Sequence, residues 1–142
     1  MPHAGYEPYP LLSSAIAQPL TDPTLTQPLT PPLRSAMSHP KYSLRPETVE
    51  SFFFLWRLTR DESWRERGWQ IFGALQQQCR TASGYAALTD VRRRRSHEDS
   101  MPSFWMAETL KYLYLLFGED DVLPLDQWVF NTEAHPFRVQ PG

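Results

Sequence analysis

A chain of 142 residues with 41% hydrophobic content is long enough for one domain of ordinary size. Its formal net charge of -2 gives no electrostatic reason to expect a nucleic-acid partner. The single cysteine, Cys79, excludes an internal disulfide and is no metal motif, so a small buried apolar side chain is expected there.

Residues 1–41 read as a disordered or linker segment. Ten of the 14 prolines fall in residues 1–46, and the leucines between them follow no period. Gln18-Pro19-Leu20-Thr21 recurs as Gln27-Pro28-Leu29-Thr30, too short a phrase for a repeat fold; a short linear binding motif in this region is a minor alternative to a plain linker. Pro8, Pro10 and Pro19 interrupt the apolar patch LLSSAIA, so no signal peptide is read, and no run reaches the length of a membrane span.

Order is expected from Tyr42 onward, as a domain over 42–142. In YSLRPETVESFFFLWRLTR, Pro46 suits the first turn of a helix, where its missing N–H costs nothing. Glu47 and Glu50 then lie at the positive end of the helix dipole. Val49, Phe52, Phe53 and Trp56 recur at i, i+3, i+4, i+7, so a helix should run to about Thr59. After Asp61-Glu62-Ser63, a second apolar stripe of Trp64, Gly68, Ile71, Phe72, Leu75 and Cys79 predicts an antiparallel neighbour. Ser83-Gly84-Tyr85 breaks the pattern, and residues 80–102 read as a long loop with room for a short hairpin. It carries Arg92-Arg93-Arg94-Arg95. Four arginines invite a nucleic-acid or targeting reading, but the acids that follow and the acidic whole favour a solvated surface loop. A third helix is predicted from Ser103 to Phe117, with Phe104, Ala107, Leu110, Tyr114 and Phe117 on its apolar face and Gly118 as its stop. Trp128, Val129 and Phe130 favour a short strand leading into FNTEAHP. The fold class is therefore all-α with a short C-terminal β element.

Three places set acids beside apolar faces: Glu47 at a helix start, Glu108 four residues after Phe104, and Glu133 in the closing loop. Each has an ordinary reading. Glu47 and Glu50 suit any first helical turn, Glu108 can pair with Lys111, Glu133 can face solvent, and His135 can be structural. Taken together, carboxylates among aromatics suit carbohydrate chemistry. Acids bond hydroxyls, rings stack on sugar faces, and paired carboxylates cleave glycosidic bonds.

Three phrases occur in order: Ser43-Leu44-Arg45-Pro46-Glu47-Thr48-Val49-Glu50-Ser51, Ala107-Glu108-Thr109-Leu110-Lys111-Tyr112 and Phe130-Asn131-Thr132-Glu133-Ala134-His135-Pro136. Together they resemble the C-terminal part of a class I α-1,2-mannosidase, glycoside hydrolase family 47, over residues 42–137. The resemblance implies part of an (α/α)7 barrel, closed at one end by a β-hairpin whose tip reaches the active site. It implies calcium-dependent, inverting removal of terminal α-1,2-mannose from high-mannose N-glycans, in the endoplasmic reticulum, the Golgi or outside the cell. Glu47 matches the general base and Thr132 the Ca2+ ligand, through both of its oxygens. Glu50, Glu108 and Glu133 match carboxylates that hold sugar hydroxyls and waters, Phe104 an aromatic stacked on mannose, and Arg45 an arginine near the sugar. The family's general acid and the partner of its disulfide lie in upstream sequence without a counterpart here. The chain is thus expected to be an inactive C-terminal fragment that needs the upstream barrel. Its helices are expected to leave Phe52, Phe53, Phe54, Trp56 and Phe104 bare. The alternatives are a non-catalytic module that binds mannose and calcium, or a helical interaction protein.

Overall fold

The computed structural model describes residues 39–140. The expectations for the proline-rich segment up to residue 38 lie outside the described residues. The chain is already held before Tyr42. The Pro40 carbonyl accepts the Val91 N–H at 2.8 Å, and Lys41 pairs with Glu98 at 2.8 Å. Tyr42 then exchanges two backbone hydrogen bonds with Leu88.

Helix α1 spans Glu47–Thr59, with Pro46 as its N-cap and Glu47 and Glu50 in its first turn. Arg60, at a left-handed φ of 59°, ends it by returning its N–H to the Trp56 carbonyl. Asp61 accepts the Ser63 N–H at 3.0 Å and so opens α2, Ser63–Gln78. Val49 near the start of α1 and Leu75 and Cys79 at the end of α2 line one cleft, as an αα-hairpin requires. Gly68 lets α2 approach the next helix, because a Cβ there would overlap the Leu116 side chain.

Residues 80–102 form the expected loop, stitched by single bridges from Arg80 to Tyr85 and from Leu88 to His97. The third helical segment departs from expectation in period. Trp105–Leu110 is π-helical, and only Lys111–Phe117 is α-helical (α3). The buried positions are Trp105, Thr109, Tyr112, Leu113, Leu115 and Leu116, whereas Ala107 and Tyr114 face outward. The run is apolar almost all round, so spacing alone did not single out the packed face. The wider i→i+5 turn then set a different phase. Gly118 stops the helix as predicted.

Strands β1 (Trp128–Phe130) and β2 (Pro136–Arg138) pair antiparallel, with Val129 opposite Phe137. Their inward side sends Phe130 against Phe53, Phe54 and Tyr112, at centroid distances of 5.8, 6.1 and 5.9 Å. The hairpin therefore covers α1 and corrects the expected bare face. Phe53 is fully buried, and Phe52, Phe54, Trp56 and Phe104 are half-buried. The large apolar side chains that do remain exposed include Leu58, Met106, Val129 and Phe137. Each fully buried aromatic or leucine stabilises the core by about 1.5–3 kcal/mol. Cys79 is buried as expected, and burial pushes its thiol up to about 11. No helix among the described residues is long and apolar enough to cross a membrane.

Candidate active site

Three backbone elements converge at one end of the molecule: the start of α1, the π-helical segment and the hairpin turn. The start of α1 is set by Leu44. Its φ of 59° is a left-handed conformation that costs a bulky residue about 1–2 kcal/mol. Two features hold it: the Leu44 side chain is fully buried, and its carbonyl accepts the buried Thr109 hydroxyl at 2.7 Å. The chain thereby turns so that Arg45 and Glu47 leave the core and face solvent. Arg45 Nη1 lies 3.3 Å from Glu47 Oε1, with both side chains 63% exposed. The Arg45 guanidinium also sits over the Phe104 ring, 5.5 Å from its centroid, which joins α1 to the π-helical segment.

The hairpin turn is built by Asn131. Its side-chain oxygen accepts the N–H of Glu133 at 3.0 Å and of His135 at 2.9 Å, and its carbonyl accepts the Ala134 N–H. Ala134, left-handed at φ 58°, is buried, so Thr132 and Glu133 are pushed outward at the tip. Among the described residues Lys111 makes no hydrogen bond to Glu108, the ordinary alternative read from the sequence. Its ammonium donates to the Ala134 carbonyl at 2.8 Å and ties the tip to α3. Tyr112 donates to Glu50 at 3.3 Å, and burial together with that carboxylate lifts its hydroxyl well above the usual tyrosine range. His135 is exposed, with Nδ1 3.8 Å from Glu133.

Glu108 reports the convergence. Its carboxyl is raised above the ordinary carboxylate range, first by burial and then by the negative charge of Glu133, Glu50 and Glu47, with Lys111 opposing. Four carboxylates drawn from three separate stretches of sequence therefore share one electrostatic neighbourhood, with Arg45 and Lys111 as nearby cations. Of the predicted site residues, Arg45, Glu47, Glu50, Phe104, Glu108 and Glu133 are linked by these contacts and fields. Thr132 stands between Asn131 and Glu133 at the tip.

The donor set fits a hard cation. No hydrogen bond among the described residues claims the hydroxyl or the carbonyl of Thr132. Both are neutral oxygen donors of the kind calcium accepts. Among the described residues no three His, Cys, Asp or Glu side chains gather closely enough to hold an ion directly. Carboxylates standing further off would supply the negative charge that neutral donors lack.

The structure brings the candidate acids named from the sequence near one another, and it adds supports that the sequence did not name. Thr109, Tyr112 and Asn131 hold the site in place, and the direction taken by Lys111 was also missed. Asn131 carried a signal in its turn propensity. Thr109 carried one as a lone hydroxyl in an apolar helical run.

These features define a carboxylate-rich candidate site on a helical scaffold, and comparison with known proteins gives its class. The sequence pattern of glycosyl hydrolase family 47 matches residues 14–139. The chain belongs to that family. It is 55% identical over 109 residues to mannosyl-oligosaccharide alpha-1,2-mannosidase IA of Drosophila melanogaster, covering 75% of this chain and 16% of that protein. It is 52% identical over 104 residues to mannosyl-oligosaccharide 1,2-alpha-mannosidase IC of Homo sapiens, covering 72% of this chain and 16% of that protein. Among solved structures, the alpha-1,2-mannosidase from Trichoderma reesei matches with a TM-score of 0.67 and 41% identity, over 71% of this chain and 22% of that one. The chain thus spans about 16% of the length of the curated relatives it matches.

Proposed function

We propose that this chain supplies the base-bearing wall of a mannosyl-oligosaccharide 1,2-α-mannosidase, which removes terminal α-1,2-mannose from high-mannose N-glycans in the secretory pathway. The observation that carries the reading is the shared field of Glu47, Glu50, Glu108 and Glu133 beside Arg45 and Phe104. The names of the relatives supply the substrate class.

In this reading Glu47 is the general base. Its exposed carboxylate at the head of α1 takes a proton from a water, and that water attacks the anomeric carbon from the face opposite the leaving oxygen. Inversion requires the acid and the base to stand roughly 6.5–9.5 Å apart. The acid belongs to the part of the family's domain that the matched segment does not include. Arg45 fixes the orientation of Glu47 through their 3.3 Å contact. Glu50, Glu108 and Glu133 accept hydrogen bonds from sugar hydroxyls and ordered waters, and Phe104 presents a ring to the apolar face of mannose. Thr132 would hold calcium through its two oxygens. When bound, the ion orients sugar hydroxyls and offsets the repulsion among the four acids. Helices of the remaining barrel would cover the exposed apolar side chains of the hairpin.

Because the general acid lies outside the matched segment, the 142-residue chain by itself binds sugar weakly and does not turn it over. The test is a chimera in which residues 42–139 replace the equivalent segment of the Trichoderma reesei enzyme. The chimera is expected to release mannose from an α-1,2-linked mannobiose, to need calcium, and to lose turnover in Glu47→Gln. A folded chimera whose turnover survives Glu47→Gln would refute the assignment. Turnover by the isolated chain would refute its incompleteness.

A further inference from the structure

We infer that the loop around Arg92-Arg93-Arg94-Arg95 is a processing site for an endoprotease with acidic subsites, cut between Arg95 and Ser96. The inference concerns this loop alone and stands whether or not the catalytic reading does.

All four arginines are exposed, and none lies in a helix or strand. A run of this kind offers an arginine to the pocket at the cut and further arginines to the pockets upstream. Acidic subsites recognise such groups through charge-assisted, bidentate hydrogen bonds. Ser96, just beyond the cut, is small enough for the pocket on the leaving side. Exposed loops with polar residues are also where proteolysis concentrates.

A protease binds its substrate extended, so the loop must open first. What holds it closed is mainly polar, including Val91 N–H to the Pro40 carbonyl and His97 Nε2 against the Gln78 carbonyl at 2.7 Å. Asp90 pairs with Arg92 at 2.8 Å and approaches Arg93 at 3.9 Å. The Gln78 side chain accepts the Arg95 N–H at 3.3 Å, and the Gln77 carbonyl accepts from the Arg95 side chain at 3.4 Å. Ser96 bonds to Thr89 and Asp90. Val91 is the one apolar side chain within the segment, and it is half-buried. Opening residues 90–97 therefore breaks mostly polar contacts and withdraws a single apolar side chain, Val91, from the core. Arg95 itself sits at a left-handed φ of 48°, a strain that an extended conformation relieves. The flanks stay anchored, because Ala87 bonds to both Glu98 and Ser100 and Lys41 pairs with Glu98.

The cut adds one water across the Arg95–Ser96 peptide bond, leaving a carboxylate on Arg95 and an amine on Ser96. It distributes the candidate site over two pieces. Arg45, Glu47 and Glu50 remain on one, and Phe104, Glu108, Thr132 and Glu133 on the other. Packing of Phe53 against Tyr112 and Phe130 and the Thr109–Leu44 hydrogen bond hold them together. With a single cysteine in the chain, no disulfide can join the pieces.

The experiment exposes the folded full chain to a purified subtilisin-like convertase specific for paired basic residues and reads the new termini by mass spectrometry. The first cut is expected after Arg95. Arg92→Ala is expected to slow it by about tenfold or more, since a binding pocket built for a charge rejects its loss, while leaving cleavage by trypsin after Arg95 unchanged. Asp90→Asn, which releases Arg92 without removing any arginine, is expected to speed the cut several-fold. A folded chain left intact, a first cut elsewhere, or equal rates in the wild type and Arg92→Ala would each overturn the proposal.

Discussion

Replacing Thr109 by valine removes one hydroxyl and leaves the shape of the side chain nearly unchanged. Thr109 and Leu44 are both fully buried, and the hydroxyl donates to the Leu44 carbonyl at 2.7 Å. Valine fills the same volume, so no cavity opens and the loss isolates the hydrogen bond. The Leu44 carbonyl is then left without this donor, which costs about 1–3 kcal/mol. The same bond helps hold Leu44 in its left-handed turn, and that turn aims Arg45 and Glu47 at the site. Urea unfolding followed by tryptophan fluorescence is expected to show a midpoint lowered by about 1 M with an unchanged slope. Thr109→Ser keeps the donor and is expected to recover most of the loss. In the mannosidase chimera, Thr109→Val is expected to lower kcat more than it raises KM, because it displaces the base rather than the sugar contacts. A midpoint within about 0.2 M of wild type, or Thr109→Ser behaving like Thr109→Val, would refute the reasoning.

Two further outcomes follow from buried or crowded charge. The Arg57 side chain, only 4% exposed, donates to the carbonyls of Leu115, Glu119, Asp120 and Val122 where α3 ends and lies over the Phe53 ring at 5.1 Å. Arg57→Met keeps the apolar stem but strands those carbonyls, so a loss of about 2–3 kcal/mol is expected in thermal or urea unfolding, and an unchanged midpoint would count against the cap. Glu108 is raised by burial and by three neighbouring carboxylates, so its neutral form is favoured in the folded state. Its contribution is most favourable below the unfolded carboxylate value and is lost as pH rises through the folded one. Glu108→Gln is therefore expected to flatten the fall in stability above pH about 4, as is added calcium, and an unaltered pH profile in both cases would show that the four acids do not interact.

Local pattern in the chain was enough for the two long amphipathic helices, the reversal between them, the stop at Gly118 and the strand leading into FNTEAHP. It also determined the candidate acids, because Arg-Pro-Glu, Ala-Glu-Thr and Asn-Thr-Glu are local phrases that need no partner to be read. Period, capping and turn chemistry are properties of neighbouring residues, so they are written in the chain. Tertiary structure alone decided what depends on distant residues. The run from Trp105 to Phe117 is apolar on nearly every face, so only its contacts fixed which residues point inward and that its first six residues adopt a π-helix. The face of α1 was covered by Phe130, 77 positions after Phe53, rather than left bare. Lys111 turned to the hairpin rather than to Glu108, and Thr109 reached back to Leu44. These are long-range pairings whose energies exist only once the backbone has brought the groups together. For that reason the candidate residues could be named from local phrases, while the means of holding them in place could not.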